Sequence, residues 1–408
     1  MSERLDIVIL GLSVTSSWGN GHATTYRSLI RALADRGHRV LFLERDAPWY
    51  KGNRDQPRPA GARTELYESF DELVARFEGE VASAGLVIVG SFVPEGRRVG
   101  EWVTSVARGV TAFYDIDTPI TLALLAEGIH EFISPELIRR YELYLSFTGG
   151  PTLRMIENRY GSPMARAFYC AVDLELYRPE KCSERWDLGY LGTYSDDRQP
   201  SLNELMLEAA RIWPQGRFAV VGPMYPLEIR WPANVDREIH LSPSDHAEFY
   251  GSQRFTLNIT REAMKRVGYA PSVRLFEAGA CGVPIISDWW EGLDTLFQLG
   301  DEVLISSNAT DTLRFLREYP DAKRRQVGLA ARRRILTEHT PQQRVAQLEG
   351  YLEEVHDNLS AHPARRNGCE RQMARGLDSG TPSQCPGQTA SARTGGEAGD
   401  AAISGRLH

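Results

Sequence analysis

Apolar residues come in short bursts along this chain, and the stretches between the bursts are amphipathic. Ile7-Val-Ile-Leu-Gly11 is a continuous apolar run, as a strand buried on both faces requires. A Gly/Ser-rich segment follows, Ser16-Ser-Trp-Gly-Asn-Gly-His22, and then Tyr26, Leu29, Ile30 and Leu33 recur at helical spacing. The pattern predicts a helix over residues 23–36, stopped by Gly37, and a second strand over residues 39–44. Further strands are predicted at Leu86–Gly90 and at residues 110–114 and 144–147. Strands alternating with amphipathic helices specify a parallel sheet covered on both faces, and residues 1–165 read as one such doubly wound, Rossmann-like unit.

The pattern then restarts. Ala171-Val-Asp-Leu-Glu-Leu-Tyr-Arg-Pro179 is polar, irregular and ended by proline, and reads as a linker. Strands are predicted at residues 188–192, 218–222, 255–259 and 283–287, and helices at 201–212, 244–251 and Val273–Cys281. Two closing helices at 322–338 and 341–358 complete a second unit spanning residues 166–358. Residues 359–408 are rich in Gly, Ser, Ala, Arg and Pro without hydrophobic periodicity, the composition of a disordered tail.

Size agrees with two units, because 408 residues exceed what one hydrophobic core serves. The formal charge of −7 argues against a nucleic-acid partner, which calls for a basic face. The five cysteines (Cys170, Cys182, Cys281, Cys369, Cys385) are odd in number and lack paired metal-ligand spacing, so reduced thiols are expected. The first apolar run is too short for a signal-peptide core, and no run approaches the roughly 20 residues of a membrane helix. The expected location is the cytoplasm.

The sharpest chemistry lies in Tyr269-Ala-Pro-Ser-Val-Arg-Leu-Phe-Glu-Ala-Gly-Ala-Cys-Gly-Val-Pro-Ile-Ile-Ser-Asp288. Ser272 is a good N-cap for the helix Val273–Cys281, and Gly282 stops it. Free N–H groups at such a helix start suit a diphosphate. Glu277 lies one turn further in, a natural acceptor for ribose hydroxyls, with Arg274 three residues before it. An ordinary capped helix with a surface glutamate is the plain alternative.

This segment resembles the donor-binding signature of group-1 glycosyltransferases of the GT-B fold, a Glu–x7–Glu pair around a Gly-containing loop and a helix start. The resemblance makes Glu277 the second glutamate, which holds the donor ribose, and sets Ser272 where the family loop has its second glycine. The sequence departs from the pattern at the first glutamate, where Tyr269 stands. Leu257-Asn-Ile-Thr-Arg261, Gly268-Tyr-Ala-Pro-Ser-Val-Arg-Leu-Phe-Glu277, Gly292-Leu, Glu302-Val-Leu and Arg334-Ile-Leu-Thr-Glu-His-Thr-Pro-Gln-Gln-Arg344 are similar, in order, to the CgeB-like (spore maturation protein) branch of that superfamily. The resemblance implies a nucleotide-sugar donor, a small-molecule or glycan acceptor, no metal or other cofactor, and transfer with retention of configuration.

Gly189-Tyr-Leu-Gly-Thr-Tyr-Ser-Asp-Asp-Arg198 opens the second unit with a cation six residues after Gly192. Group-1 enzymes carry Gly-Arg-Leu-x-x-x-Lys there; Arg198 matches the lysine and Thr193 replaces the arginine. Arg198 is equally readable as a solvated arginine beside Asp196 and Asp197. Arg261, at the carboxyl end of a predicted strand, is a candidate second cation. In the first unit Trp18, Gly19, Gly21 and His22 form the candidate acceptor loop, similar to the Gly-Gly-His loops of several GT-B families. His22 is a candidate base, which would favour inversion, or else a helix cap. His38 reads as structural. Asp115-x-Asp117 matches the spacing of a metal dyad found in the other glycosyltransferase fold, but the surroundings differ. Asp117 is instead a candidate for hydrogen bonding the acceptor, with turn formation the alternative. Rival functions are a dinucleotide-dependent oxidoreductase, whose glycine spacing does not fit, a nucleotide-sugar epimerase of the same fold, and a non-catalytic sugar-binding or surface-coat protein.

Overall fold

A computed structural model describes residues 4–18 and 20–361 of the chain. Gly19 and residues 362–408 of the tail expected from residue 359 lie outside the described residues, whereas residues 359–361, expected to be disordered, belong to the last helix, Pro341–Ala361. Thirteen strands form two all-parallel sheets among the described residues. The first contains β1 (Asp6–Gly11), β2 (Arg39–Arg45), β3 (Ala62–Tyr67), β4 (Leu86–Gly90), β5 (Val110–Asp115), β6 (Leu143–Ser146) and β7 (Ala165–Ala167), in the order β3-β2-β1-β4-β5-β6-β7. The second contains β8 (Trp186–Leu191), β9 (Phe218–Val221), β10 (Val235–Glu238), β11 (Gln253–Asn258), β12 (Ile285–Ser287) and β13 (Val303–Ile305), in the order β10-β9-β8-β11-β12-β13.

Register shows why the apolar runs are continuous. Ile9 pairs with Phe42 on one side and Ile88 on the other. Ile7 and Ile9 enter one apolar layer while Val8 and Leu10 enter the other, so both faces of the sheet are covered. Strand order reverses between β1 and β4 in the first sheet and between β8 and β11 in the second. The crevices beyond the carboxyl ends of those strands are where open α/β sheets bind ligands.

The segment after β7 is not a loose linker. It has no helix or strand from 168 to 185, yet Phe168, Cys170, Val172 and Tyr177 are buried in a layer shared by both sheets. Ser28 Oγ donates to Ala171 O at 2.8 Å, and Arg31 pairs with Asp173. The last helix, Pro341–Ala361, packs against the helix His22–Asp35. Its buried Arg344 donates to Tyr169 O at 3.1 Å, and Tyr351 OH donates to Ala167 O at 2.9 Å. His38 Nε2 lies 3.0 Å from Glu349 Oε1, which gives the histidine a structural partner. No described helix is long and apolar enough to cross a membrane.

A fully buried carboxylate, Glu44 at the end of β2, shapes the crevice loop that follows β1. It accepts from Ser13 Oγ (2.9 Å), Val14 N (2.7 Å), Thr15 N (3.0 Å) and Thr15 Oγ1 (2.6 Å). Arg27 braces the same loop from the helix: its Nε donates to Val14 O at 2.8 Å while its Nη1 pairs with Asp55 at 2.7 Å. Asp55 in turn accepts from Ser17 N at 2.7 Å. Removing Glu44 strands several buried donors at once, so Glu44→Ala should lower unfolding stability by about 3 kcal/mol or more, measured by urea titration.

Candidate active site

The two sheets present their carboxyl ends to one another, and most of the residues singled out in the sequence lie on that meeting face. From the first half come Trp18 and His22 after β1, and Asp117 after β5. From the second come Arg198 after β8, Arg261 after β11, and the helix that opens at Ser272. Trp18, 44% exposed, sets its ring 5.3 Å from that of His240, which follows β10, so the loop after β1 reaches across the cleft.

His22 is the first residue of its helix, and Gly21 is the N-cap. The capping work falls to Asn20, whose Oδ1 accepts from His22 N at 3.1 Å while Nδ2 donates to Ser13 O and Ser16 O. The imidazole therefore does not cap the helix. Its Nδ1 is sealed from solvent without a hydrogen-bond partner, and the ring lies 6.0 Å from Phe92. Burial lowers its pKa to about 4, so the ring is neutral at physiological pH.

Asp115 and Asp117 have separate environments. Asp115 is fully buried at the end of β5, bonded by Thr121 Oγ1 at 2.7 Å and by the Tyr144 hydroxyl. Burial raises its pKa to about 6 against those hydrogen bonds. Asp117 turns toward the second half. Its Oδ1 is buried without a partner, and burial raises its pKa to about 7, opposed by the charges of Arg261 and Arg198 across the cleft. The helix that Asp117 opens, Thr118–Ala126, packs against Glu262–Val267, the helix that Arg261 opens.

Arg198 opens the helical segment that begins at Gln199 and includes a π turn over Asn203–Leu207. Its Nη2 donates to Thr193 O at 2.8 Å, and its Nε is buried without a partner. It is not a solvated surface arginine. Arg261 Nε lies 3.5 Å from Asp197 Oδ2, an ion pair without a hydrogen bond. Its loop is held by Asp288, which accepts from Thr260 N (3.1 Å), Thr260 Oγ1 (2.9 Å) and Lys265 Nζ (2.9 Å). Asp288, Glu44, Asp197 and His240 were not picked out from the sequence. The available signal for two of them was an acid closing an apolar strand run, Leu41-Phe-Leu-Glu44 and Ile285-Ile-Ser-Asp288.

The donor signature divides. Ser272 is the N-cap, its Oγ accepting from Arg274 N at 3.2 Å, and Gly282 closes the helix in the left-handed region. Arg274 is buried under the sheet ends rather than extended into the cleft. Its Nε donates to Leu191 O, and its Nη1 donates to Asn258 Oδ1 at 3.1 Å and Ile259 O at 3.3 Å, tying β8 to β11 at the reversal. Gly192 leaves room for this guanidinium, because a Cβ there would fall 2.7 Å from Nη2. Tyr269 bridges the halves. It adopts φ 51°, its carbonyl accepts from Gly149 N at 2.9 Å, and its ring fits between Gly150 and Gly292, where any Cβ would clash. Glu277 lines a small crevice with Thr24, Thr25 and Tyr177, and its charge helps raise the pKa of the Tyr177 and Tyr250 hydroxyls, whose main cause is burial.

Residues 198–350 match the family described as glycosyl transferase-like. No curated protein matches the sequence. The fold is similar to that of Anabaena HepE in complex with UDP and glucose (14% identity, 86% of this chain and 100% of that one, TM-score 0.62). It is also similar to sucrose-phosphate synthase from Thermosynechococcus elongatus (15% identity, 87% and 100%, TM-score 0.61). An alpha-glucosyltransferase in complex with UDP-glucose and DNA containing an abasic site aligns at 11% identity over 86% and 100% of the two chains, with a TM-score of 0.64. The chain thus has the GT-B fold, and the portion that carries Arg198, Arg261 and Glu277 is glycosyl transferase-like in sequence.

Proposed function

We propose that this protein transfers a sugar from a nucleotide-sugar, a UDP-hexose in the first instance, to the hydroxyl of a small-molecule or glycan acceptor. The observation that carries the reading is the pair of guanidiniums, Arg198 and Arg261, brought to the second-sheet reversal with buried Nε atoms lacking hydrogen-bond partners. Buried donors of this kind are completed by an anion. UDP is named because HepE and the alpha-glucosyltransferase are described in complex with UDP or UDP-glucose.

In the transfer, the acceptor oxygen bonds to the anomeric carbon as the bond from that carbon to the phosphate oxygen breaks. Negative charge grows on the departing diphosphate. Arg198, Arg261 and the amide end of the helix Val273–Cys281 supply fixed positive potential there, in place of a divalent metal. Glu277 accepts hydrogen bonds from the ribose. Trp18 and His22 line the acceptor side, and neutral His22 takes the acceptor proton.

Arg198→Ala and Glu277→Ala should each weaken UDP binding about tenfold or more in calorimetry, with the fold retained by circular dichroism. Unchanged affinity in both variants would remove the donor assignment. Release of nucleoside diphosphate with a glycosylated product, rather than an epimerised donor, separates transfer from epimerisation.

His22→Ala should lower turnover by about 10² to 10⁴ and leave UDP affinity nearly unchanged. Because burial holds the imidazole pKa at about 4, the base stays deprotonated as pH falls until that value is reached. The acidic limb of kcat attributable to His22 should therefore lie near pH 4, not near 6.5. A limb near 6.5 that disappears in the His22 variant would contradict the low imidazole pKa, and unchanged turnover in that variant would exclude His22 as the base.

A further inference from the structure

Asp117 makes chemical sense only if the cleft is regarded as an electrostatic whole. Its carboxylate belongs to the first half, yet the charges that act on it are largely those of the second: Arg261 and Arg198 favour its ionisation, while Asp197 and its own neighbour Asp115 oppose it. Lys265, on the helix packed against it, is engaged by Asp288 at 2.9 Å and does not belong to this group. Three atoms of the arrangement are buried without hydrogen bonds: Asp117 Oδ1, Arg198 Nε and Arg261 Nε. A carboxylate and two guanidiniums that face one another across a cleft without closing into hydrogen-bonded pairs are poised for a further group between them.

We propose that Asp117 is a donor-side residue that holds the place of the donor diphosphate in the unliganded protein and takes up a proton when the diphosphate arrives. This inference rests on the transfer reading above, because it requires Arg198 and Arg261 to receive the phosphates. It also moves Asp117 from the acceptor side, where the sequence placed it, to the donor side.

Charge balance couples the proton to the ligand. Before binding, the two guanidiniums partly compensate the buried carboxylate, whose pKa nevertheless stands at about 7 because burial dominates. A bound diphosphate neutralises both guanidiniums and adds negative charge beside Asp117. The two influences that favoured ionisation are lost and a repulsive one appears, so the carboxylate pKa rises further. Near neutral pH, Asp117 passes from partly ionised to protonated, and Oδ1, now without its charge, is able to offer a hydrogen bond to a phosphate or sugar oxygen. By linkage, a site that binds a proton together with its ligand binds that ligand more tightly as pH falls, by up to about tenfold per pH unit for one proton. Release of nucleoside diphosphate returns the proton to solvent and restores Asp117 to the arginines.

The test is titration calorimetry of the full chain with UDP, and with inorganic pyrophosphate as a probe that needs no nucleoside. Measurements in two buffers of different ionisation enthalpy, at pH 6, 7 and 8, report the protons exchanged. Asp117→Asn is the comparison, because asparagine keeps the shape while removing the charge. Relative to the variant, the wild-type protein should take up additional proton at pH 7 and 8 on binding either probe. The variant should bind more tightly than wild type at pH 8, with the two converging toward pH 6. Equal proton exchange and equal pH slopes in the two proteins would overturn the proposal while leaving the donor assignment standing. Absence of binding by either probe to the wild type would remove the transfer reading and this inference together. If Asp117→Asn melts several degrees lower, Asp117→Ser supplies the uncharged comparison in its place, and failure of both variants to bind either probe would overturn the proposal by making Asp117 purely structural.

Discussion

Every strand in a parallel sheet ends on the same edge, so the loops that carry ligand-binding groups emerge side by side with no hairpin to hold them. Something else must hold them, and here it is a pair of buried carboxyl groups. Glu44, at the end of β2, gathers two backbone amides and two hydroxyls of the loop after the neighbouring β1. Asp288, just past the end of β12, takes one backbone amide and one hydroxyl, both of Thr260, in the loop after the neighbouring β11. A buried carboxylate is unfavourable unless it is fully bonded, and that demand fixes each loop in one conformation. His22 and Arg261 inherit their positions from these two anchors.

The contrast lies in what the halves then display. The first half spends its polar groups on itself through Glu44, Arg27, Asp55 and Asn20, and shows the cleft an aromatic ring, a neutral imidazole and Asp117. The second half shows it guanidiniums. Arg274 is consumed in tying β8 to β11, whereas Arg198 and Arg261 keep a buried Nε without a hydrogen bond. This division puts the positive potential on one wall and the proton-accepting groups on the other, an order suited to a donor with a departing diphosphate on one side and an incoming hydroxyl on the other. Tyr269 and the segment carrying Tyr177 cross between the walls, so the gap between them is set by packing as well as by charge.

The interior of the fold was legible in the sequence because buried parallel strands read as unbroken apolar runs. The central strands and the helix Val273–Cys281, with its serine cap and glycine stop, follow from that signal and from capping chemistry. The strands that pattern reading did not find are β3, β7, β10 and β13, and all four are sheet edges. An edge strand is covered on one side only or is very short: β3 reads Ala-Arg-Thr-Glu-Leu-Tyr, β10 reads Val-Asp-Arg-Glu, and β7 and β13 have three residues each. Residue type and position after a strand were enough to place His22, Arg198, Arg261 and Asp117 on the face where the carboxyl ends of the two sheets meet. They were not enough to show which arginine would be spent on the scaffold or which way Asp117 would face, because both depend on contacts with residues far away in the chain.

The account stands or falls on where the nucleotide binds. A crystal structure of the full chain soaked with UDP tests it directly. The account predicts the diphosphate at the second-sheet reversal, within hydrogen-bonding reach of Arg198 and Arg261, with the ribose turned toward Glu277. UDP bound instead in the first-sheet crevice between β1 and β4, with both arginines left as they are, would contradict it.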